Sequence, residues 1–327
     1  MEEPVPEDLL QFLKEYKCFL IISHREPDGD TITSAIALSL FLSRMGKRTK
    51  LFSPGPFNRP EIAQFNKYFN TKIEESDRLD PGTAVIILDC STEERIGCFS
   101  DAIRGLKVAV IDHHSSGDSF GDLTFIRPGS PSVTYLIQRI IEALGEKPSK
   151  EEAELIMFGL CTDTGFFRHL GNNSSHIFEA TARLVQSGVS PNEIYHKIYG
   201  QRSLHSRVLL GRLLSRTETY FNGKLLLTYE TIKDTEQAGK INRDSDTLYQ
   251  LLQTVESVEV VVLIREEEKG ACSVGMRANG SIDLGELAYR FGGGGHRKAA
   301  GFIWKGSMEE IKKRLLSTLS EMLLHSA

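Results

Sequence analysis

The chain has 327 residues, more than one core ordinarily supports, so two domains are expected. A formal net charge of −5, from 44 acidic and 39 basic residues, gives no electrostatic case for gripping long duplex nucleic acid. A small phosphorylated ligand stays open, because bound divalent cations invert the charge locally.

In chain order, MEEPVPEDLLQFLKEY opens acidic, and residues 6–16 read as an amphipathic helix, not a signal peptide. KCFLIIS (17–23) reads as a buried strand, and TITSAIALSLFLSRM (31–45) as a helix that stops at Gly46. AVIIL (84–88) and KVAVI (107–111) are further short apolar runs, and helical patterns follow at 131–144, 150–161, 174–187 and 190–199. The last of these opens on Ser190-Pro191-Asn192-Glu193, a cap followed by proline at the first helical position. Buried strands alternating with helices predict an α/β domain with a mostly parallel sheet and helices on both faces.

After about residue 200 the pattern changes. TETYFNGKLLLTYE (217–230) reads as a hairpin turning at Asn222-Gly223. VEVVVLIRE and ACSVGMRA form a second adjacent pair, followed by a helix at 283–291, a glycine run and a final helix at 308–324. The reading is a domain over 1–190, a helical connector over 191–215, and a smaller α/β domain over 216–327. No run approaches the roughly 18 apolar residues of a membrane span. Five cysteines (18, 90, 98, 161, 272) lack any CxxC spacing and read as reduced thiols. A cytoplasmic protein without a membrane partner is expected.

The informative pattern is where the acids fall. The first strand delivers His24 and then, across HREPDGD, Asp28 and Asp30. AVIIL ends in Asp89, KVAVI ends in Asp112-His113-His114, and the helical run ELIMFGLCTDTG carries Asp163 near its end. A lone aspartate at a strand end is usually a turn residue or a helix cap, and a lone histidine is usually a satisfied polar side chain. Coincidence on four separate elements is much harder to sustain. In open α/β sheets, ligands bind beyond the carboxyl ends of the strands, so one edge is expected to gather all of these groups. Carboxylates with a few imidazoles favour Mn²⁺ or Mg²⁺, with Zn²⁺ or Co²⁺ as further options. Crowded carboxylates repel one another unless cations intervene, and a pair of ions would also suit phosphoryl displacement.

FGGGGHRKAAG (291–301) is the second constellation. Gly293, Gly294 and Gly295 permit close backbone approach and anion binding, with His296, Arg297 and Lys298 as donors for phosphate oxygens. Arg277, in SVGMRANG, ends a strand pattern and could join them. No Walker or dinucleotide-binding glycine spacing occurs. A division of labour is expected, with metals on the first domain, an anion clamp on the second and a cleft between them.

HREPDGD, ILDCS, VIDHHSS, GLCTDTG and GGGGHRKAAGF, in that order over residues 24 to 302, resemble the DHH phosphoesterases with a C-terminal DHHA1 domain. Within them the compact chain is most similar to the NrnA-type oligoribonucleases and 3′-phosphoadenosine-5′-phosphate (PAP) phosphatases. The resemblance implies two Mn²⁺ ions, with Mg²⁺ or Co²⁺ as alternatives. His24, Asp28 and Asp89 would hold one, and Asp30, Asp89, His113 and Asp163 the other, with Asp89 bridging. Asp112 would orient the site, His114 would face the scissile phosphate, and His296 and Arg297 would bind substrate phosphate with help from Arg168 and Arg277.

The implied activity is hydrolysis of short oligoribonucleotides, dinucleotides such as pApA, or PAP, by a hydroxide bridging the two ions. A cyclic- or linear-dinucleotide phosphodiesterase, a RecJ-like single-strand exonuclease and a catalytically silent nucleotide sensor are the alternatives. Spare apolar residues on helices 174–199 make a homodimer plausible. One departure from the family pattern is PDGDTITS, with Thr33 where glycine is usual, past the ligands and bearing on helix packing.

Overall fold

The computed structural model describes residues 3–80, 82–115, 117, 120–200 and 202–324. Its chain divides into two compact units, Met1–Gln201 and Arg202–Ala327. In the first unit, β1 (Cys18–Ser23), β2 (Arg48–Phe52), β3 (Phe69–Asn70), β4 (Thr83–Leu88), β5 (Lys107–Asp112) and β6 (Leu123–Ile126) form a fully parallel sheet. Their order is β3-β2-β1-β4-β5-β6. The unit's helices are α1 (Glu7–Glu15), α2 (Gly29–Arg44), α3 (Glu75–Arg78), α4 (Phe99–Ala102), α5 (Val133–Ala143), α6 (Lys150–Asp163), α7 (Ser175–Gln186) and α8 (Pro191–Tyr199).

Strand periodicity sorts the side chains into two cores. Phe19, Ile21, Ala84, Ile86 and Ile111 face the core built with α1, α2, α5 and α6. Leu20, Ile22, Val85, Ile87 and Val110 face the opposite core with Phe99 and Ile103. Both faces are covered, as continuous apolar strands require. β2 and β6 were not legible because β2 is charged and partly exposed, and β6 is a four-residue edge strand.

The chain leaves β1 for β2 on one side and later returns to place β4 on the other, so the order reverses between β1 and β4. The register then fixes the height of the strand ends. Ser23 pairs with Leu88, and Leu88 with Ile111. His24, Asp89 and Asp112 therefore emerge at one level, at the topological switch point where such sheets bind ligands.

Two reciprocal contacts set the crossing of α2 and α6. A Cβ on Gly29 would stand 2.4 Å from Thr162 Oγ1, and one on Gly159 would stand 2.6 Å from Thr33 Oγ1 and 2.4 Å from Thr134 Cγ2. Each helix thus offers a bare backbone where its partner carries a threonine. Thr33 costs nothing in packing here, because Gly159 supplies the missing volume across the interface, and its hydroxyl donates to the Gly29 carbonyl (2.7 Å).

The second unit runs α9 (Leu204–Ser215), β7 (Glu218–Tyr220), β8 (Leu225–Glu230), α10 (Ile232–Ala238), α11 (Ser245–Gln253), β9 (Val260–Glu268), β10 (Ala271–Ala278), α12 (Leu284–Arg290), β11 (Gly294–His296), β12 (Ala299–Lys305) and α13 (Met308–Leu324). The strands form a mixed sheet ordered β11-β12-β10-β9-β8-β7, in which β8 and β9 are parallel. The β7–β8 hairpin turns at its Asn-Gly pair: Asn222 and Gly223, at φ 54° and 90°, are the central residues of a turn closed by Lys224 N–H donating to Phe221 O (3.2 Å). An overlapping turn centred on Phe221 and Asn222 is closed by Gly223 N–H donating to Tyr220 O (3.2 Å). Part of the glycine run is itself the edge strand β11, paired with β12. Among the described residues, no helix is long and apolar enough to cross a membrane.

Gly29→Ala is expected to destabilise the fold by about 1–3 kcal/mol through overpacking. Adding Thr162→Gly should restore much of that loss in a urea-denaturation double-mutant cycle. Strictly additive losses would mean that α2 and α6 do not meet there.

Candidate metal centre

Five parts of the first unit deliver the acids and imidazoles: the ends of β1, β4 and β5, the first turn of α2, and the last residue of α6. Asp28 is the N-cap of α2, its Oδ1 accepting from the amides of Asp30 (3.1 Å) and Thr31 (3.2 Å). The cap uses one oxygen and leaves the other free, so the ordinary role and the metal role coexist. Asp30 is buried and pinned to the start of α5. Val133 N–H donates to its Oδ2 (2.6 Å), and Thr134 donates to its Oδ1 through the amide (2.9 Å) and the hydroxyl (2.7 Å).

Asp89 lies between the imidazoles. Its Oδ2 is 3.4 Å from His24 Nε2, and its Oδ1 is 3.4 Å from His113 Nε2 and 3.6 Å from His114 Nδ1. His113 Nε2 is also 3.3 Å from Asp163 Oδ2. The backbone of Asp89 is left-handed at φ 58°, a conformation costly for a residue with a Cβ and common at functional sites. Asp112, fully buried, spends its Oδ1 on the amides of His113 (2.7 Å) and His114 (3.2 Å) and on His114 Nδ1 (2.7 Å).

These contacts resolve into three overlapping ligand groups, His24/Asp28/Asp89, Asp30/His113/Asp163 and Asp89/His113/His114, with donor atoms of each group within 4.8 Å of one another. Every sequence-derived ligand candidate falls in at least one group, and Asp89 is shared by two. Whether these residues suit cations can be judged from the protein alone. Asp89 Oδ1 is buried without a hydrogen-bond partner among the described residues. His113 Nδ1 lies 3.1 Å from the Ser130 carbonyl and His24 Nδ1 lies 2.7 Å from the Arg25 carbonyl. With those nitrogens protonated, both Nε2 lone pairs point to the shared carboxylate, the usual arrangement of metal-bound histidine. The donor set fits a hard or borderline divalent ion.

The electrostatics of the protein groups tell the same story. Burial, reinforced by the charge of Asp89, pushes the Asp30 carboxyl up to about 7. Burial and the charge of Asp30 push Asp163 up to about 8. Burial acts to lower the His113 imidazole, but the carboxylates of Asp89, Asp30 and Asp163 outweigh it and raise the group to about 10. Burial would also raise Asp89, yet His113 and His24 hold it below the usual carboxylate range. The hydrogen bond to Asp112 raises His114. Protons here do the neutralising that a divalent cation would do.

The remaining candidates belong to none of these ligand groups. Arg168, exposed, stands 3.4 Å from His169 Nε2, five residues past Asp163. In the second unit, His296, Arg297 and Lys298 are exposed, and Arg277 lies over the Tyr249 ring (4.5 Å). The Gly292 and Gly293 amides donate to the Tyr289 (3.0 Å) and Ala288 (2.9 Å) carbonyls, so they are not free for an anion. Gly293 and Gly295 are bare because β12 passes close, whereas a Cβ on Gly294 would meet nothing. Sequence reading missed the Ser130 carbonyl and the Val133 and Thr134 amides that brace the site, since backbone groups leave no residue signature. It also missed Arg95, whose Nη2 is 3.1 Å from His24 Nδ1.

Comparison with known proteins agrees with this architecture. Residues 18–160 match the DHH family, N-terminal domain, and residues 222–323 match the DHHA1 domain. The bifunctional oligoribonuclease and PAP phosphatase NrnA of Thermus thermophilus is 30% identical over 93% of this chain and 89% of its own length. Its namesake from Bacillus subtilis is 27% identical over 90% of this chain and 91% of its own. The crystal structure of an exopolyphosphatase-related protein from Bacteroides fragilis superimposes with a TM-score of 0.82 at 26% identity, covering 98% of this chain and 97% of that one.

A pH dependence follows from the crowding. Asp30 and Asp163 carry raised folded-state values against an ordinary 3.8, and His113 against 6.5. Their contribution to stability is therefore full below those ordinary values and is lost as pH rises through about 7, 8 and 10. The thermal midpoint of metal-stripped protein is expected to fall from about pH 5 to pH 10, and added Mn²⁺ to raise it most at the alkaline end. A midpoint flat across that range would contradict the crowding.

Proposed function

This chain belongs to the DHH family and carries a DHHA1 domain, and from that premise we propose that it is a manganese-dependent phosphoesterase acting on short oligoribonucleotides and on PAP. Phosphoester hydrolysis is the reaction class of the NrnA relatives. The observation that carries the finer reading is the sharing of Asp89 between two ligand groups, which suits a pair of cations and has no use in a mere binding module. His24, Asp28 and Asp89 would hold one ion, and Asp30, Asp89, His113 and Asp163 the other, with Asp89 shared by both. Bound there, the pair would polarise the phosphoryl oxygens and lower the pKa of the attacking water.

The chain's own residues perform the remaining work. Asp112 fixes the His114 ring through Nδ1, which leaves Nε2 to protonate the departing oxygen. Asp30, anchored on α5, and Asp163, at the end of α6, keep their carboxylates in place without further ordering as the reaction proceeds. His296 and Arg297 bind substrate phosphate, the open space above Gly294 admits it to the backbone, and Arg277 and Arg168 assist. A substrate with few phosphates also fits a chain of net charge −5.

Product analysis on pApA, a longer oligoribonucleotide and PAP, each with Mn²⁺, Mg²⁺ and Co²⁺, tests the reading and separates it from a cyclic- or linear-dinucleotide phosphodiesterase or a RecJ-like single-strand exonuclease. Asp89→Ala is expected to lower kcat by about 10³-fold or more, and full manganese-dependent turnover by this variant would rule the centre out. His296→Ala should raise KM about tenfold with Mn²⁺ affinity intact. Unchanged kinetics would remove His296 from the phosphate site.

A further inference from the structure

Two arginines stand on the loops that carry His24 and Asp89, and no carboxylate among the described residues pairs with either. Arg25 directly follows His24, and Arg95 lies in the segment after Asp89; both are exposed. A backbone hydrogen bond from Arg25 N–H to the Arg95 carbonyl (2.8 Å) ties the loops together. Gly97, at φ 61°, leaves room for the Arg25 guanidinium, whose Nη2 would stand 3.3 Å from a Cβ there.

The position of Arg95 is unusual in what it lacks. When His24 keeps Nε2 free for a cation, Nδ1 carries the proton and donates to the Arg25 carbonyl 2.7 Å away. The Arg95 guanidinium, 3.1 Å from that same nitrogen, then faces a donor and has no side-chain acceptor among the described residues. Half-buried arginines of the second unit sit against carboxylate, as in the Arg243–Glu230–Arg265 cluster, and Arg95 does not among the described residues. An unpaired guanidinium beside an acidic centre is suited to a phosphate oxygen, which it binds in a fork.

We propose that Arg95 and Arg25 clamp a second, non-reacting phosphate of the substrate at the His24 edge of the site. The clamp rests on the phosphoesterase reading and adds a preference to it: nucleotides that carry a phosphate besides the one being cleaved. Arg25 and Arg95 belong to the first unit, and His296 and Arg297 to the second.

The test compares pApA with ApA, which lacks the 5′-phosphate, at saturating Mn²⁺. Arg95→Ala is expected to lower the ratio of kcat/KM values, pApA over ApA, at least tenfold, chiefly through KM for pApA. The Arg25→Ala/Arg95→Ala protein should lower it further, and Arg95→Lys should recover part of it. Equal losses on both dinucleotides would overturn the clamp, because Arg95 would then merely support His24; so would an unaltered ratio. Binding of 5′-AMP, followed by calorimetry, gives a readout without turnover and is expected to weaken in the double variant. Wild-type protein that cleaves neither dinucleotide nor PAP would sink the phosphoesterase reading, and 5′-AMP binding equal in wild type and double variant would then sink the clamp separately.

Discussion

The arrangement depends on one carboxylate placed where water cannot reach it. Asp89 is buried, its backbone is left-handed, one oxygen has no hydrogen-bond partner among the described residues, and imidazoles approach it from both sides. Burying a charge on those terms is costly unless something of opposite sign shares the space. The surrounding fold supplies the site for that sharing. Parallel strands in register end at one level, and the reversal of strand order opens the space between β1 and β4.

The helices finish what the sheet begins. α2 starts within the acidic cluster and α6 ends there, so the distance between Asp30 and Asp163 depends on how closely these helices cross. Gly29 against Thr162, and Gly159 against Thr33, let the backbones approach as closely as small residues allow. The same contact region holds Thr134, whose hydroxyl and amide bind Asp30. Packing and ligand placement are therefore one problem here: a methyl group added at Gly29 or Gly159 lands a residue or two from a candidate ligand or its support.

Much of this was readable beforehand. Apolar runs announced β1, β4 and β5, capping residues announced α8, and aspartates at the ends of separate elements announced their convergence. Thr33 looked like a packing fault in isolation, because its compensation, Gly159, lies on another helix more than a hundred residues away. The glycine run suggested a free anion-binding loop, but two of its amides are committed to the end of α12 and two of its glycines are bare to let β12 pass. Distant partners and backbone donors are the parts that residue identities do not advertise. The Arg95–His24 contact falls in the same class, since nothing in CSTEERIG distinguishes one exposed arginine from its charged neighbours.

Asp28 ends the N-terminus of α2 with one oxygen and presents the other to the cluster. The two duties impose different tolerances on its replacement. Asparagine would still cap the helix but would bring no negative charge, while glutamate would bring the charge on a stem one methylene too long for the cap. Only a side chain of this length and this ionisation meets both conditions, so drift at this position is confined more tightly than either duty alone would require.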